Sequence, residues 1–429
     1  MKRFERSALR TAVGVEWAGF LLAGAEGPSM NGSRAVVFAL LCCFALVSGV
    51  AVHAQTGGES TMSVTGDNGT AEYLAPPPSA VDRSESATAT LDVAGAVGDN
   101  AIELQTTYQR VNFQRAYRNA ESDTERRMVL RNAATWYSER TDRLERRQRT
   151  AIRQYGDGEI GSQELFRTLA AVDRGAAAME SNVGWFENNA DDLGMSGVRT
   201  QLNTDRVRLL TLQSPLGSTL ESAFEGKRTL TVHTEVSDNA TVLATVETDT
   251  NGGQTYLREA HDPSARSIGV PDTYDGDLSP ALDRIETLYP WVTDNGSPTV
   301  DFLGPDRARL YRFEYDHPHG TLRTYLDGGS EDIVTEIQRN DPEAVPTDTV
   351  ETVDGDLLLR VNTTRAGGPL GVTVLNETSG EPVAAAVGVN GREVGNTDGG
   401  RVWTVGPRGT VTVNATHDGR SLSITTTLQ

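Results

Sequence analysis

Between about residue 100 and residue 215 the apolar positions recur with a helical period. Leu130, Ala134, Tyr137, Thr141, Leu144, Gln148, Ala151 and Tyr155 follow steps of four and three, and six of these eight are apolar. The stretch QYGDGEIGSQ interrupts the pattern. There Gly156, Gly158 and Gly161 end one helix, and Ser162 is placed to cap the next. A second seam follows with the same spacing at Leu165, Leu169, Val172, Ala176, Met179, Val183 and Phe186. Two amphipathic helices joined by a short glycine-rich turn predict an antiparallel, coiled-coil-like hairpin within residues 98–215.

Beyond Pro215 the period shortens. Leu230, Val232, Thr234 and Val236 alternate, SDNA turns the chain, and Val242, Ala244 and Val246 alternate again. A short helix is expected over 279–290. ARLYRFEY (308–315) puts Tyr311, Phe313 and Tyr315 on one face, and DHPHG turns it into TLRTYL. EDIVTEIQR (331–339) reads as a last helix. Residues 226–345 are therefore expected to form an α+β domain.

In residues 350–429 seven short strands are expected, near 357–361, 370–375, 384–389, 392–394, 401–405, 410–416 and 421–428. AGGP, SGEP, Asn390-Gly391, NTDGG, GPRG and HDGR separate them. Seven strands at this spacing predict a small β-sandwich. The stretch from Ser379 to Ala415 resembles the carboxypeptidase-regulatory-like and related fibronectin-III- or immunoglobulin-like sandwiches. Gly380, Pro382, Val383, Ala386, Thr397, Asp398, Gly400, Pro407 and Gly409 carry the resemblance. It implies a structural or interaction module without chemistry of its own. The fold class expected for the whole chain is multidomain α+β: helical hairpin, central α+β domain, C-terminal sandwich.

The N-terminus changes the picture from fold to location. AVVFALLCCFALVSGVAVHA (35–54) is apolar apart from Ser48 and His53, follows Arg34, and ends in Val52-His53-Ala54. A charged flank, an apolar run and a small-residue end predict a secretory signal peptide over 30–54, or, uncleaved, a membrane anchor. Residues 1–29 precede Met30, which reads as the true start. Residues 55–97, rich in Gly, Ser, Thr, Ala and Pro, are expected to be a linker with no core of its own. Both cysteines, Cys42 and Cys43, fall inside the apolar run, so the remainder has neither disulfides nor thiolate ligands.

Charge adds a second clue. The net charge is −20, and of 39 basic residues only Lys2 and Lys227 are lysine. An acidic, arginine-using, nearly lysine-free surface resembles that of haloarchaeal exported proteins, and this resemblance implies a location but no activity. The arginine-rich RTDRLERRQRT (140–150) reads as a solvated, partly paired helix face, since Asp142 and Glu145 stand three and four residues from arginines. Nucleic acid is not expected as a partner of an exported acidic protein in molar salt, where counterion release gains little.

Candidate chemistry is sparse. His317 and His319 in EYDHPHG form a close pair beside Glu314 and Asp316, and could supply part of a metal site. The alternative is an exposed turn. His233 is placed on the polar face of its strand, and His261 and His417 in turns. DTYDGD (272–277) and VDGDL (354–358) resemble fragments of calcium loops without the full spacing. Asn68, Asn239, Asn295, Asn362, Asn376 and Asn414 head glycosylation sequons. Phosphate-binding loops, dinucleotide fingerprints and nucleophile elbows are absent from the sequence, and no cofactor is expected. The reading is a noncatalytic exported envelope protein of a halophile, acting in structure, adhesion or interaction. Its partners would be envelope proteins or glycans, with membrane contact only through 35–54. The alternative is an extracellular hydrolase or a ligand- or metal-binding protein with its site in the central domain.

Overall fold

The computed structural model describes residues 74–428 apart from 239, 250–251 and 399, together with the pair 63–64. The apolar run 35–54 and the sequons at Asn68 and Asn239 lie outside the described residues. No described helix is long and apolar enough to cross a membrane.

Three strands, β1 (Ser63–Val64), β2 (Leu74–Ala75) and β3 (Arg83–Ala89), precede five helices. These are α1 (Val93–Asn119), α2 (Asp123–Gly156), α3 (Ser162–Asp192), α4 (Ser196–Thr211) and α5 (Pro215–Phe224). Asp92 caps α1 by accepting from the amides of Ala94 and Gly95, and Ser122 caps α2 through the amide of Glu125. Gly158, at a φ of 77°, makes the turn between α2 and α3 in a conformation that a side chain would strain. The two expected seams lie in α2 and α3, and every seam position is buried except the half-buried Gln148. Where a two-helix hairpin was expected, the structure has five helices. α1 and α4 contribute Phe113, Tyr117, Leu202 and Leu209 to the same core.

The next elements are β4 (Leu230–Ser237), β5 (Ala240–Thr248), β6 (Gln254–His261), α6 (Leu278–Leu288), α7 (Pro290–Asn295) and β7 (Ser297–Leu303). β8 (Leu310–His317), β9 (Gly320–Asp327) and β10 (Ile333–Asn340) follow. They form an antiparallel eight-stranded sheet in the order β3-β4-β5-β6-β10-β9-β8-β7. Two expectations are corrected here. Residues 331–339 hold a central strand, β10, and not a helix. The supposed linker 55–97 supplies the edge strand β3, the start of α1, and two core residues, Leu74 and Ala89.

Strand alternation gives the sheet two different faces. On one, Leu230, Val232, Val236, Leu243, Leu257 and Ile337 pack against the helices through Leu165, Phe166, Leu216, Leu220 and Phe224. The other face is split. Toward β8 and β9 it is apolar, with Tyr311, Phe313, Tyr315, Leu322 and Leu326 under α6 and α7. Toward β3 and β4 it carries Ser84, Ser86, His233 and Glu235, which occupy facing register positions.

The C-terminal region has eight strands in two antiparallel four-stranded sheets, rather than the seven expected. The first sheet contains β11 (Asp348–Asp354), β12 (Leu357–Thr363), β13 (Pro369–Asn376) and β16 (Arg401–Val405). The second contains β14 (Ala386–Val389), β15 (Arg392–Asn396), β17 (Gly409–His417) and β18 (Arg420–Leu428). Leu359, Val361, Val372 and Val374 of the first meet Val387, Val411, Val413 and Ile424 of the second in one shared core. The added strand is β11, an edge strand with all but one residue exposed, so burial leaves no alternating signature in its sequence.

Candidate functional site

The polar half of the large sheet's second face is covered by the C-terminal module. Glu235 is 4% exposed and receives two hydrogen bonds from Arg408, Nε to Oε1 at 2.9 Å and Nη2 to Oε2 at 2.8 Å. His233 Nε2 lies 3.3 Å from the same Oε1, and its Nδ1 lies 3.0 Å from Ser86 Oγ. Ser84 donates to Glu235 at 3.2 Å. Burial alone would raise the Glu235 carboxyl, but the hydrogen bonds and charge of His233 and Arg408 outweigh it and hold the group at about 2. A second tie runs from Tyr256 Oη to the carbonyl of Gly367 at 2.6 Å, beside an apolar contact of Val405 with Ala244 and Tyr256.

A cavity of about 290 Å³ opens beside these groups, lined among others by Ser84, Ser86, Asn390, Arg392 and Arg408. The arrangement does two things. It neutralises a buried carboxylate with a bidentate guanidinium, the geometry that holds best in a desolvated place. It also places a serine hydroxyl, an imidazole and a carboxylate in one hydrogen-bonded line at the wall of a cavity.

A second buried network lies deeper on the same face. Arg258 donates to Glu336 Oε1 at 2.6 Å and to the carbonyl of Leu74 at 2.5 Å, while the amide of Leu74 donates to Glu336 Oε2 at 2.7 Å. Tyr289 and Gln338 complete the carboxylate's partners at 3.1 and 2.6 Å. Strand β2 is thus held to the sheet by an ion pair that uses its backbone.

The residues singled out in the sequence fall elsewhere. His317 and His319 do not lie in an exposed turn. Each is 8% exposed, and Trp291 of α7 stacks on His319 at 4.5 Å and meets His317 edge-on at 5.5 Å. Burial pushes His317 down to about 4 and lowers His319. The backbone amide of His319 donates to His317 Nδ1, so the ring proton resides on Nε2, which is the position a metal would need. Glu314 is instead paired with Arg323 at 2.7 Å. Among the described residues no three His, Cys, Asp or Glu side chains converge as a ligand set.

His261 ends strand β6, buried against Thr335 at 3.0 Å, and His417 ends β17 rather than sitting in a turn. In DTYDGD the Asp272 carboxylate accepts from Tyr311 Oη, the amides of Tyr274 and Gly276, and Arg309, which saturates it with protein donors. In VDGDL, Gly355 makes the turn from β11 to β12, and Asp356 pairs with Arg420 at 2.6 Å. Asn295 is exposed, and Asn376 and Asn414 are half-buried. Asn362 is buried, and its amide nitrogen donates to both Thr347 and Thr349, which leaves an N-linked sugar no room.

The site residues that sequence reasoning missed are Ser84, Ser86, Glu235 and Arg408. A faint signal exists, since Ser84-x-Ser86 and His233-x-Glu235 are polar pairs at strand spacing. Nothing local indicates that Arg408, 173 positions beyond Glu235, closes over this face.

By its architecture the chain is a helical array, an antiparallel sheet and a two-sheet β-module joined through buried polar contacts. Residues 348–424 match the archaeal fibronectin-III type-like domain. Residues 30–229 match a domain of unknown function (DUF7096), and residues 232–346 match a family of unknown function (DUF7094). No curated protein and no solved structure matches the chain.

Proposed function

We propose that this is an exported, noncatalytic protein of a halophile's cell envelope. In this reading it is a structural or interaction protein whose fibronectin-III-like module is fixed against the central sheet. The seven strands from β12 to β18 form an immunoglobulin-like sandwich with β11 added at its edge, and α2 with α3 forms a stiff, coiled-coil-like antiparallel spacer. The observation that carries this reading is the Arg408–Glu235 pair: the groups nearest to a catalytic set are committed to holding two modules together. Its partners are envelope proteins or surface glycans. Fractionation of cells grown in molar salt, with N-terminal sequencing of the purified protein, tests it. A surface fraction and a start near Gln55 or Met30 are expected, and a cytosolic protein starting at Met1 would end the proposal. Arg408→Gln leaves Glu235 buried without its cation, so it should cost about 2–4 kcal/mol in chemical denaturation.

One observation favours a second reading, a hydrolase. If His233 donates Nε2–H to Glu235, its Nδ1 accepts from the Ser86 hydroxyl, which is the polarity of a serine nucleophile and its base. A fluorophosphonate probe decides between the two. Labelling at Ser86 that is lost in Ser86→Ala would establish the hydrolase, and an unlabelled protein would leave the structural role.

A further inference from the structure

The first face of α1 is used against the bundle: Gly95 packs on Phe224, Ile102 on Gly175, Phe113 on Trp136 and Phe186, and Tyr117 on Trp185. Its opposite face is not. Ala94, Val97, Ala101, Leu104, Tyr108 and Val111 succeed one another at steps of three, four, three, four and three, and all six are exposed. Val97, Leu104 and Tyr108 are 62, 71 and 63% exposed. This is the a/d spacing of a coiled coil, drawn on the solvent side of a helix that the bundle already holds rigid. A stripe of this regularity is unlike the scattered apolar residues of an ordinary surface.

The flanks of the stripe narrow the choice of occupant. Gly98, Gln105, Thr107, Asn112 and Gln114 border it, and none carries a charge. Glu103 lies off the seam and is turned toward Arg174 of α3, which it meets at 2.9 Å. On a chain of net charge −20, most faces repel a second copy, whereas this one does not. A charged partner would leave opposite charges beside the seam, and a helix lying on an anionic lipid surface would border its apolar stripe with Lys or Arg. Amide and hydroxyl flanks are neutral toward themselves and complementary in hydrogen bonding. An isologous contact, in which the same patch serves both partners, needs that self-neutrality.

We infer that the protein self-associates through α1, the exposed Val97–Val111 seam of one copy packing on the same seam of a second copy. The contact is knobs-into-holes over about four helical turns per copy, with Leu104 at its midpoint. It leaves the Arg408 latch and the 290 Å³ cavity free. The inference is independent of export, because a cytosolic protein would carry the same seam.

The test uses the full chain purified from its own cells in about 3 M KCl, the salt that an acidic surface of this kind calls for. Its mass is measured by light scattering or sedimentation equilibrium, beside that of Leu104→Glu/Tyr108→Glu. Both substitutions fall on exposed positions, so circular dichroism and the melting of a dilute sample should match the parent. The parent is expected to be a dimer, and the double variant to have half its mass. A monomeric parent, or a double variant that stays dimeric, overturns the inference. So does a parent that remains monomeric but floats with lipid vesicles of neutral or anionic composition when the variant does not, since the seam would then face a membrane.

Discussion

Arg258 and Glu336 are 2 and 0% exposed, and the cost of burying both charges is offset by their mutual bond and by the donors from Leu74, Tyr289 and Gln338 that fill the Glu336 carboxylate. Replacing such a pair by apolar groups is often neutral, whereas deleting one partner is not. Arg258→Met should therefore destabilise the chain by about 3–5 kcal/mol, because Glu336 then stays buried without its cation. Adding Glu336→Met should recover part of that loss in a double-mutant cycle followed by denaturant unfolding. None of this was legible in the sequence. By local pattern Glu336 falls in an expected helix, EDIVTEIQR, and Leu74 in an expected linker. What defeats local reading is that the partners are distant: Arg258 lies 78 positions from Glu336 and 184 from Leu74. The same holds for His317 and His319, whose exposure is decided by Trp291 on another element.

Among the elements, legibility follows from how one-sided their burial is. α2 buries one stripe, so its seam could be read directly from the period of 3.5. α3 is buried on several sides from Leu169 to Ala176, and its seam stayed legible because its largest apolar side chains keep the same period. β10 is buried on both faces, which erases alternation, and its Ile333, Val334 and Ile337 then imitate helical spacing. The arginine stretch of α2 shows the readable case. Arg143, Arg146 and Arg149 reach Glu139, Asp142 and Glu145 at 3.8–4.0 Å along the helix, and Arg208 of α4 reaches Asp142 and Glu145 at 2.6 and 2.7 Å. Exposed pairs of this kind contribute little, so Arg143→Gln/Arg147→Gln should change stability by about 0.5 kcal/mol or less. Leu169→Asp places a carboxylate in the buried seam and should cost several kcal/mol or unfold the helices. Thermal melts of both variants in native salt separate the two effects.

The junction of α3, α5 and β6 carries a pH dependence. The amide of Ser214, which caps α5, donates to Asp173 at 2.7 Å, and the Ser214 hydroxyl donates to Glu259 at 2.7 Å. Burial pushes both carboxyls up to about 7, the carboxylates of Glu259 and Glu221 adding to the shift of Asp173. Arg174, facing Asp173, and Arg339, facing Glu259, oppose it. A carboxyl raised in the folded state binds its proton more tightly there than in the unfolded chain. Its stabilising effect is therefore complete below about 4 and is lost as the pH rises through about 7. Stability, and with it the melting temperature, should fall between about pH 4 and pH 7, by about 1.4 kcal/mol per pH unit for each group, and level off above that range. Asp173→Asn/Glu259→Gln should flatten this slope, and an equal slope in the double variant would place the titrating groups elsewhere. Below pH 4 the sign reverses, because Glu235, held at about 2, loses its contribution as it becomes protonated.

At the scale of the whole molecule, the division into helices, sheet and β-module was readable, but the way the parts are joined was not. Turn chemistry announces the strands from β12 to β18 of the C-terminal module but not β11, while the latch that docks the module pairs residues 173 positions apart. The same acidic surface that suggests a halophile sets the last expectation. Acidic residues outnumber basic ones 59 to 39, and the described ion pairs include many that are exposed and contribute little each. Self-repulsion among the unmatched carboxylates is then opposed chiefly by screening. The screening length grows from about 3 Å at 1 M to about 10 Å at 0.1 M salt. Over that range carboxylates on neighbouring elements begin to feel one another, and the unfolded chain relieves the repulsion by expanding. Transfer from about 3 M to 0.1 M KCl should therefore lower the melting temperature by well over ten degrees, or unfold the protein outright. Acidic surface residues exchanged for Lys on the exposed side of α2, for instance Glu139→Lys with Asp123→Lys, should reduce that dependence. A midpoint that does not move with salt would mean that the acidic surface is not what adapts this fold to its surroundings.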